Sequence, residues 1–245
     1  MLTIKGRIMP ASNATFLAEL EDGREVVYKP VAGERPLWDF PEGTLAGREV
    51  AAYLVSEATG WGVVPHTWIG DGPHGPGMVQ EWQQVGDDEA VSLVRGTDVP
   101  QGWLPVVDGY DERDRPVVLI HEDTAALRRM ALFDAVVNNA DRKGGHVLAM
   151  PDGRRLGVDH GVTFHHENKL RTVLWGWAGT GLTDEEREVL RRVEDGLSGA
   201  LGEALAEHLA SHEVHAVASR IRRLSRSGRL PAPGDGWPSI PWPPF

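Results

Sequence analysis

VNNADRKGGHVLAMPDGRRLGVDHGVTF, residues 137–164, decides how the rest of the chain is read. It begins polar where a buried strand would be apolar, turns apolar through VLAM and RLGV, and ends on an acid set between a short strand and a glycine. The run PDGR, residues 151–154, is a turn joining two short strands. Asp141, His146 and Asp159 therefore surround one small hairpin. Two readings are open at this point: a hairpin with charged turn residues, or a site that holds metal ions and orients a nucleophile.

Upstream, DTAALRRMALFDAVVNN from residue 123 has apolar residues on one helical face, with Asp123 as its N-cap. Further back, residues 2–8, 15–20 and 25–29 alternate as short strands, the last two joined by the turn EDGR. A helix is expected over 45–58, stopped by Gly60 and Gly62. Strands follow near 66–70 and 77–83. Residues 84–122 suggest a helix near 88–95 and a hairpin around PVVDGYDERDRPVVLI. Downstream, Thr183 and Glu186 make a capping box that opens a helix through about Glu194. One amphipathic helix is expected over roughly 198–227, before a proline-rich tail. The expected organisation is a β-rich lobe over 1–84, a mainly helical lobe over 85–230 and a Pro/Trp-rich tail over 231–245.

The 245 residues are 41% hydrophobic and 25% charged, as in soluble globular proteins. No apolar run is long enough to span a bilayer, and the start lacks a signal-peptide core. The absence of cysteine excludes disulfides, cysteine zinc sites and cysteine nucleophiles. A cytoplasmic location is expected. The net charge of −11 argues against nucleic acid as a partner. Arg220, Arg222, Arg223, Arg226 and Arg229 form a basic run expected to be a solvated helix face. The many arginines, glycines, prolines and alanines suggest a GC-rich bacterial genome. There is no GxxxxGK[ST] phosphate loop and no HExxH zinc motif. Trp175 and Trp177 either line a cleft or pack in the core; Trp237, Trp242 and Phe245 are expected to dock on the body.

Phosphoryl transfer from ATP needs a cation on the α/β phosphates, carboxylates on a divalent metal and a group that orients the attacking hydroxyl. A kinase-type fold supplies the cation from a strand lysine held by a glutamate on the next helix. Lys29 ends the third strand, and Glu49 lies on the helix expected over 45–58. With Asp141, His146 and Asp159, five groups then stand in the order that such a site requires. That order favours the site over the charged hairpin.

On these residues, NNADRKGGHVL followed by GVDHGVTF resembles the DR-x-x-x-N and Asp-x-Gly segments of phosphatidylinositol 3-/4-kinase-like enzymes. It is similar, more loosely, to HipA-type bacterial kinases, and more closely to an actinobacterial kinase-like family. The resemblance covers about residues 3–225. It implies an α+β, two-lobed atypical protein-kinase-like fold, with a small antiparallel β lobe carrying one helix and a larger, mainly helical lobe. It further implies ATP with Mg²⁺ or Mn²⁺ as cofactors and γ-phosphate transfer to a hydroxyl of an unidentified acceptor. Lys29 would bind the α/β phosphates and Glu49 would orient it. Asp141 would be the catalytic-loop acid, and Asp159 the main metal ligand. Ser12 and Asn13, in the loop MPASNA, would contact phosphates, and adenine would lie against Glu81, Trp82 and Gln83. His146 stands where these families place asparagine as the second metal ligand. It either ligates the metal, with a preference for Mn²⁺, or only hydrogen-bonds Asp141 or Asp159. Arg142 and Lys143 are either phosphate or substrate contacts or solvated loop charges. The alternative to an active kinase is a nucleotide-binding pseudokinase with a regulatory or scaffold role.

Overall fold

The computed structural model describes residues 2–245 except Pro10, Glu42, Thr97 and 235–237. Strands β1 (Thr3–Arg7), β2 (Phe16–Glu19), β3 (Glu25–Pro30), β4 (Thr67–Gly72) and β5 (Gly75–Glu81) form an antiparallel sheet in the order β1-β2-β3-β5-β4. Successive strand residues face opposite sides of a sheet. Val26 and Tyr28 of β3 therefore close a small core with Leu2, Ala18 and Val79. Lys29 falls on the other side, in register with the buried Met78.

Helix α1 (Leu45–Thr59) follows. Its first N–H groups are satisfied from a distance, because the Glu34 carboxylate accepts from Leu45 N (3.2 Å) and Ala46 N (2.8 Å). Gly60, at φ 67°, ends it in the left-handed conformation that suits glycine. Ala51, Ala52 and Val55 of α1 join the large core built on Leu127, Phe133, Leu190 and Ile221. Arg48 ties the same helix to the C-terminal half: it is fully buried, donates to Glu213 (2.6 Å) and to the Thr163 carbonyl (2.7 Å).

The helix expected near 88–95 is a strand. VSLVR forms β6 (Val91–Arg95), paired with β8 (Pro116–Glu122), which also pairs with β7 (Trp103–Tyr110). Val91 is buried opposite His121, so the alternating β-branched pattern prevails over the helical reading. Helix α2 (Ala125–Val137) is capped by Thr124, whose Oγ1 accepts from Leu127 N, rather than by Asp123. Asp123 instead accepts from the Trp177 indole N–H at 2.8 Å. The hairpin of the opening motif is β9 (Val147–Ala149) and β10 (Arg155–Gly157).

Helix α3 (Asp184–Leu197) begins with the expected Thr183–Glu186 capping box. The single helix expected over 198–227 is two, α4 (Ala200–Ala206) and α5 (Ser211–Ser227). Leu209 is buried in the break, and Glu213 accepts from the Ala210 N–H to restart the helix. Arg220 departs from the solvated basic face: it is buried and donates to the Val136 carbonyl at the open C-terminal end of α2 (2.9 Å). Burial lowers its pKa to about 10. No helix among the described residues is long and apolar enough to cross a membrane.

The tail touches the body through its main chain. Ser239 O accepts from Thr172 N and from the Trp175 indole, and Pro244 O accepts from Gly144 N. The Phe245 ring lies against Gly144, where a Cβ would collide with it, yet remains 47% exposed, so it docks only in part. Trp242 does not: with the backbone held at Ser239 and Pro244, its side chain is 82% exposed. Trp237 lies outside the described residues.

Candidate functional site

Lys29 leaves β3 pointing at α1 and at the residue that follows β10. Its Nζ lies 2.7 Å from Glu49 Oε1 and 2.7 Å from Asp159 Oδ1. The second Glu49 oxygen accepts from the His160 backbone N–H at 2.8 Å. One carboxylate, almost fully buried, thus fixes both the lysine and the chain beside Asp159. Burial opposes the Lys29 charge, but Asp159 and Glu49 outweigh it and hold the pKa well above the usual lysine value. The same contact holds the half-exposed Asp159 well below the ordinary carboxylate range. Burial pushes Glu49 up, against the pull of Lys29.

The sharp turn after β10 is made by Asp159 itself, at φ 61°. Asp tolerates this left-handed geometry better than most residues, and a non-glycine residue there is a mark of strain at working sites. Gly161 serves close packing instead, since a Cβ there would meet Leu45 Cβ at 3.4 Å.

His146 ends a short 3₁₀ turn, Gly144–His146. Its Nδ1 lies 2.9 Å from the Asp141 carbonyl, which only accepts, so Nδ1 carries the proton. The Lys143 N–H reaches the same nitrogen only at 3.5 Å, too long to compete. The lone pair on Nε2 then faces Asp159 Oδ2 at 3.4 Å. Two acceptors face each other, an arrangement that a bound cation relieves. Burial lowers the His146 pKa, with Asp159 opposing, and favours the neutral ring that a metal needs. Asp159 and His146 thus offer two donors to a divalent cation, while among the described residues no group of three or more His, Cys, Asp or Glu gathers around one point.

Asp141 lies in the same loop, half-buried, with its Oδ2 3.8 Å from Lys143 Nζ. Burial raises its pKa, against Lys143 and Arg171. A carboxyl raised in this way is better suited to accept a proton.

Behind these groups is a buried network that the sequence reading missed. Arg142, open to both readings above, is neither a phosphate contact nor a solvated charge. It is fully buried and pairs with Asp134 through two bonds of 2.9 Å. Its Nη1 donates to the carbonyls of His146 (3.1 Å) and Val158 (3.0 Å), and Nη2, already bonded to Asp134, also meets His160 Nε2 (2.6 Å). It thereby fixes the backbone at His146 and just before Asp159. Asn139 donates to Asp134 and accepts from the Asp141 N–H, completing the loop. The available signal was Asp134, a charged residue on the apolar face of α2.

Ser12 and Asn13 stand apart from this cluster. Their loop joins β1 to β2 at the end of the sheet that holds Lys29, since Phe16 pairs with Tyr28. Ser12 is exposed, and Asn13 Oδ1 accepts from Arg35 N at 2.9 Å. At the opposite end, the N–H groups of Glu81 and Trp82 are engaged by the carbonyls of His66 and Glu25. The Gln83 side chain donates to the Glu81 carbonyl.

No family model matches the chain. Protein Rv2133c of Mycobacterium tuberculosis is 51% identical over 257 residues, spanning all of this chain and 92% of that one. Among solved structures, the Golgi casein kinase with Mn/ADP bound aligns with a TM-score of 0.57 at 13% identity, over 93% of this chain and 73% of that one. The Helicobacter pylori proinflammatory kinase CtkA aligns at 0.50 and 9% identity, over 94% and 93%. The chain thus has the α+β, kinase-like fold.

Proposed function

The chain belongs to the family of the Mycobacterium tuberculosis protein Rv2133c, and from that kinase-like scaffold we propose that it is an ATP-dependent phosphotransferase acting on a hydroxyl acceptor. The observation that carries this reading is the Lys29 ammonium, gripped at 2.7 Å by Glu49 on one side and Asp159 on the other. Lys29 binds the α/β phosphates, and Glu49 aims it. Asp159 and His146 hold Mg²⁺ or Mn²⁺, which, when bound, neutralises phosphate charge. Asp141 accepts the acceptor's proton as its oxygen bonds to the γ-phosphorus and the bond to the β–γ bridging oxygen breaks, leaving ADP. The loop with Ser12 and Asn13 covers the phosphates. Adenine lies against residues 81–83, where Gln83 offers the first N–H not already engaged by a neighbouring strand. Residues 1–84 act as the nucleotide lobe and 85–230 as the catalytic lobe. The finer assignment, to the phosphatidylinositol 3-/4-kinase-like class, rests on the DRKGGH and DHG motifs.

The test is ADP formation with Mg²⁺ or Mn²⁺, measured beside nucleotide binding on the same sample. Asp159→Asn is expected to lose metal-dependent ATP binding. Asp141→Asn is expected to keep binding and lose turnover by about a hundredfold or more. ATP binding with no ADP formed under any acceptor would assign the pseudokinase role instead. No nucleotide binding at all would end both readings.

A further inference from the structure

A cavity of about 710 Å³ is lined by Trp38, Glu167, Asn168, Trp175, Arg223 and Ser239 among others. Its volume is that of a small-molecule site. The connection between β3 and α1 supplies Trp38, and the C-terminal half supplies the rest. The two sides are joined beside it: Lys169 Nζ lies 2.9 Å from Asp39 and 4.7 Å from the Trp38 ring centre, and the Phe40 ring meets His165 edge-on.

The cavity wall is stitched to the chain just before Asp141. Lys169 N donates to Asn138 Oδ1 (3.0 Å), Arg171 N to the Asn139 carbonyl (2.9 Å), and Asn138 Nδ2 to the His165 carbonyl (2.8 Å). A molecule in this space would lie against residues 167–170, the segment bonded on to the chain that leads into Asp141.

The lining specifies its chemistry. Trp38 is 86% exposed, and Trp175 is fixed by its bond from Nε1 to Ser239 O (2.8 Å). Two indoles offer flat apolar faces, and Glu167, Asn168 and Arg223 offer hydrogen bonds between them. Lys169 is ion-paired with Asp39. Glu167, 3.8 Å from Lys169 Nζ, and Asp39 together offset the charges of Lys169 and Arg223, so the cavity does not select strongly for an ion. A phosphorylated headgroup would require a surplus of cations, and an acyl chain a continuous apolar wall. We propose that this cavity binds the acceptor, and that the acceptor is a neutral sugar or polyol. One C–H face lies on an indole, and its hydroxyls meet Glu167, Asn168 and Arg223. This rests on the phosphotransferase reading for the acceptor role, though not for binding itself.

Saturation-transfer NMR on the full chain, with glucose, ribose and myo-inositol as separate probes, tests it. At least one probe is expected to give ring-proton signals. Trp38→Ala and Arg223→Ala, both at exposed positions, should weaken its affinity by about tenfold or more. Asp141→Asn should leave those signals in place. Silence from all three probes, or signals unmoved by both cavity variants, overturns the proposal. If a sugar binds here but ATP and metal yield no sugar phosphate, the cavity stands and the acceptor role falls. If ADP forms with another acceptor while no sugar binds, the phosphotransferase reading stands and the cavity proposal falls.

Discussion

Removing the Lys29 ammonium would leave Glu49, 2% exposed, without its cation and within reach of a second carboxylate. Breaking a buried pair by deleting one partner destabilises by about 3 kcal/mol or more. Lys29→Met is therefore expected to lose transfer activity and also to unfold at lower denaturant; an unchanged midpoint would mean that Glu49 is satisfied without the lysine. The pH dependence follows from the same groups. Asp159, held low by Lys29, stabilises above its unfolded value of about 3.9, and this is lost as pH falls through its folded value. Lys29, held high, stabilises below about 10.4 and loses this as pH rises through its folded value. Burial holds His146 and His160 low, so the stability they lend as neutral rings is present above about 6.5 and lost as pH falls below it. Melting temperature is thus expected to decline from about pH 6.5 downward, ahead of the carboxylates, and less steeply in His146→Asn. An identical profile in that variant would remove His146 from the account. At this scale the sequence was informative because each site group is polar in an apolar setting. Arg142 was not legible, since an arginine beside a loop acid looks the same whether it faces solvent or, as here, Asp134.

Elements with strong periodicity and end signals were legible: β1 to β5, α1, the β7–β8 hairpin and the opening of α3. Thr183 accepts from Glu186 N (3.1 Å), and Glu186 accepts from Thr183 N (2.8 Å). Thr183→Ala is expected to cost about 1 kcal/mol in chemical denaturation and to leave nucleotide affinity unchanged; a larger loss would show that the cap also holds Arg128, which pairs with Glu186 at 2.7 Å. What failed was decided by distant partners. β6 is a strand because β8 supplies its ladder, and the break between α4 and α5 follows the burial of Leu209. Neither partner is visible in a local window.

Across the whole molecule, the Arg48–Glu213 pair spans 165 residues and joins α1, the helix carrying Glu49, to α5. Arg48→Met alone should destabilise by about 3–5 kcal/mol, and Arg48→Met with Glu213→Leu should recover part of that loss. A double variant no more stable than the single one would mean that the Arg48 bond to the Thr163 carbonyl, rather than the ion pair, carries the join. Position along the chain reveals order but not such closures, and the Asp39–Lys169 contact beside the cavity was equally hidden.

The 2.7 Å contact between Lys29 and Asp159 gives the resting cleft its own counterion. In the proposed roles, each of these groups must release the other before it can serve nucleotide or metal. A cation drawn to Asp159 frees Lys29 for phosphate, and phosphate drawn to Lys29 frees Asp159 for the cation. The two ligands should therefore bind with positive, reciprocal cooperativity, on the order of 5- to 150-fold. Titration calorimetry of ADP with and without Mn²⁺ measures this coupling directly. In Lys29→Met it should shrink, because metal alone would then meet an unpaired Asp159.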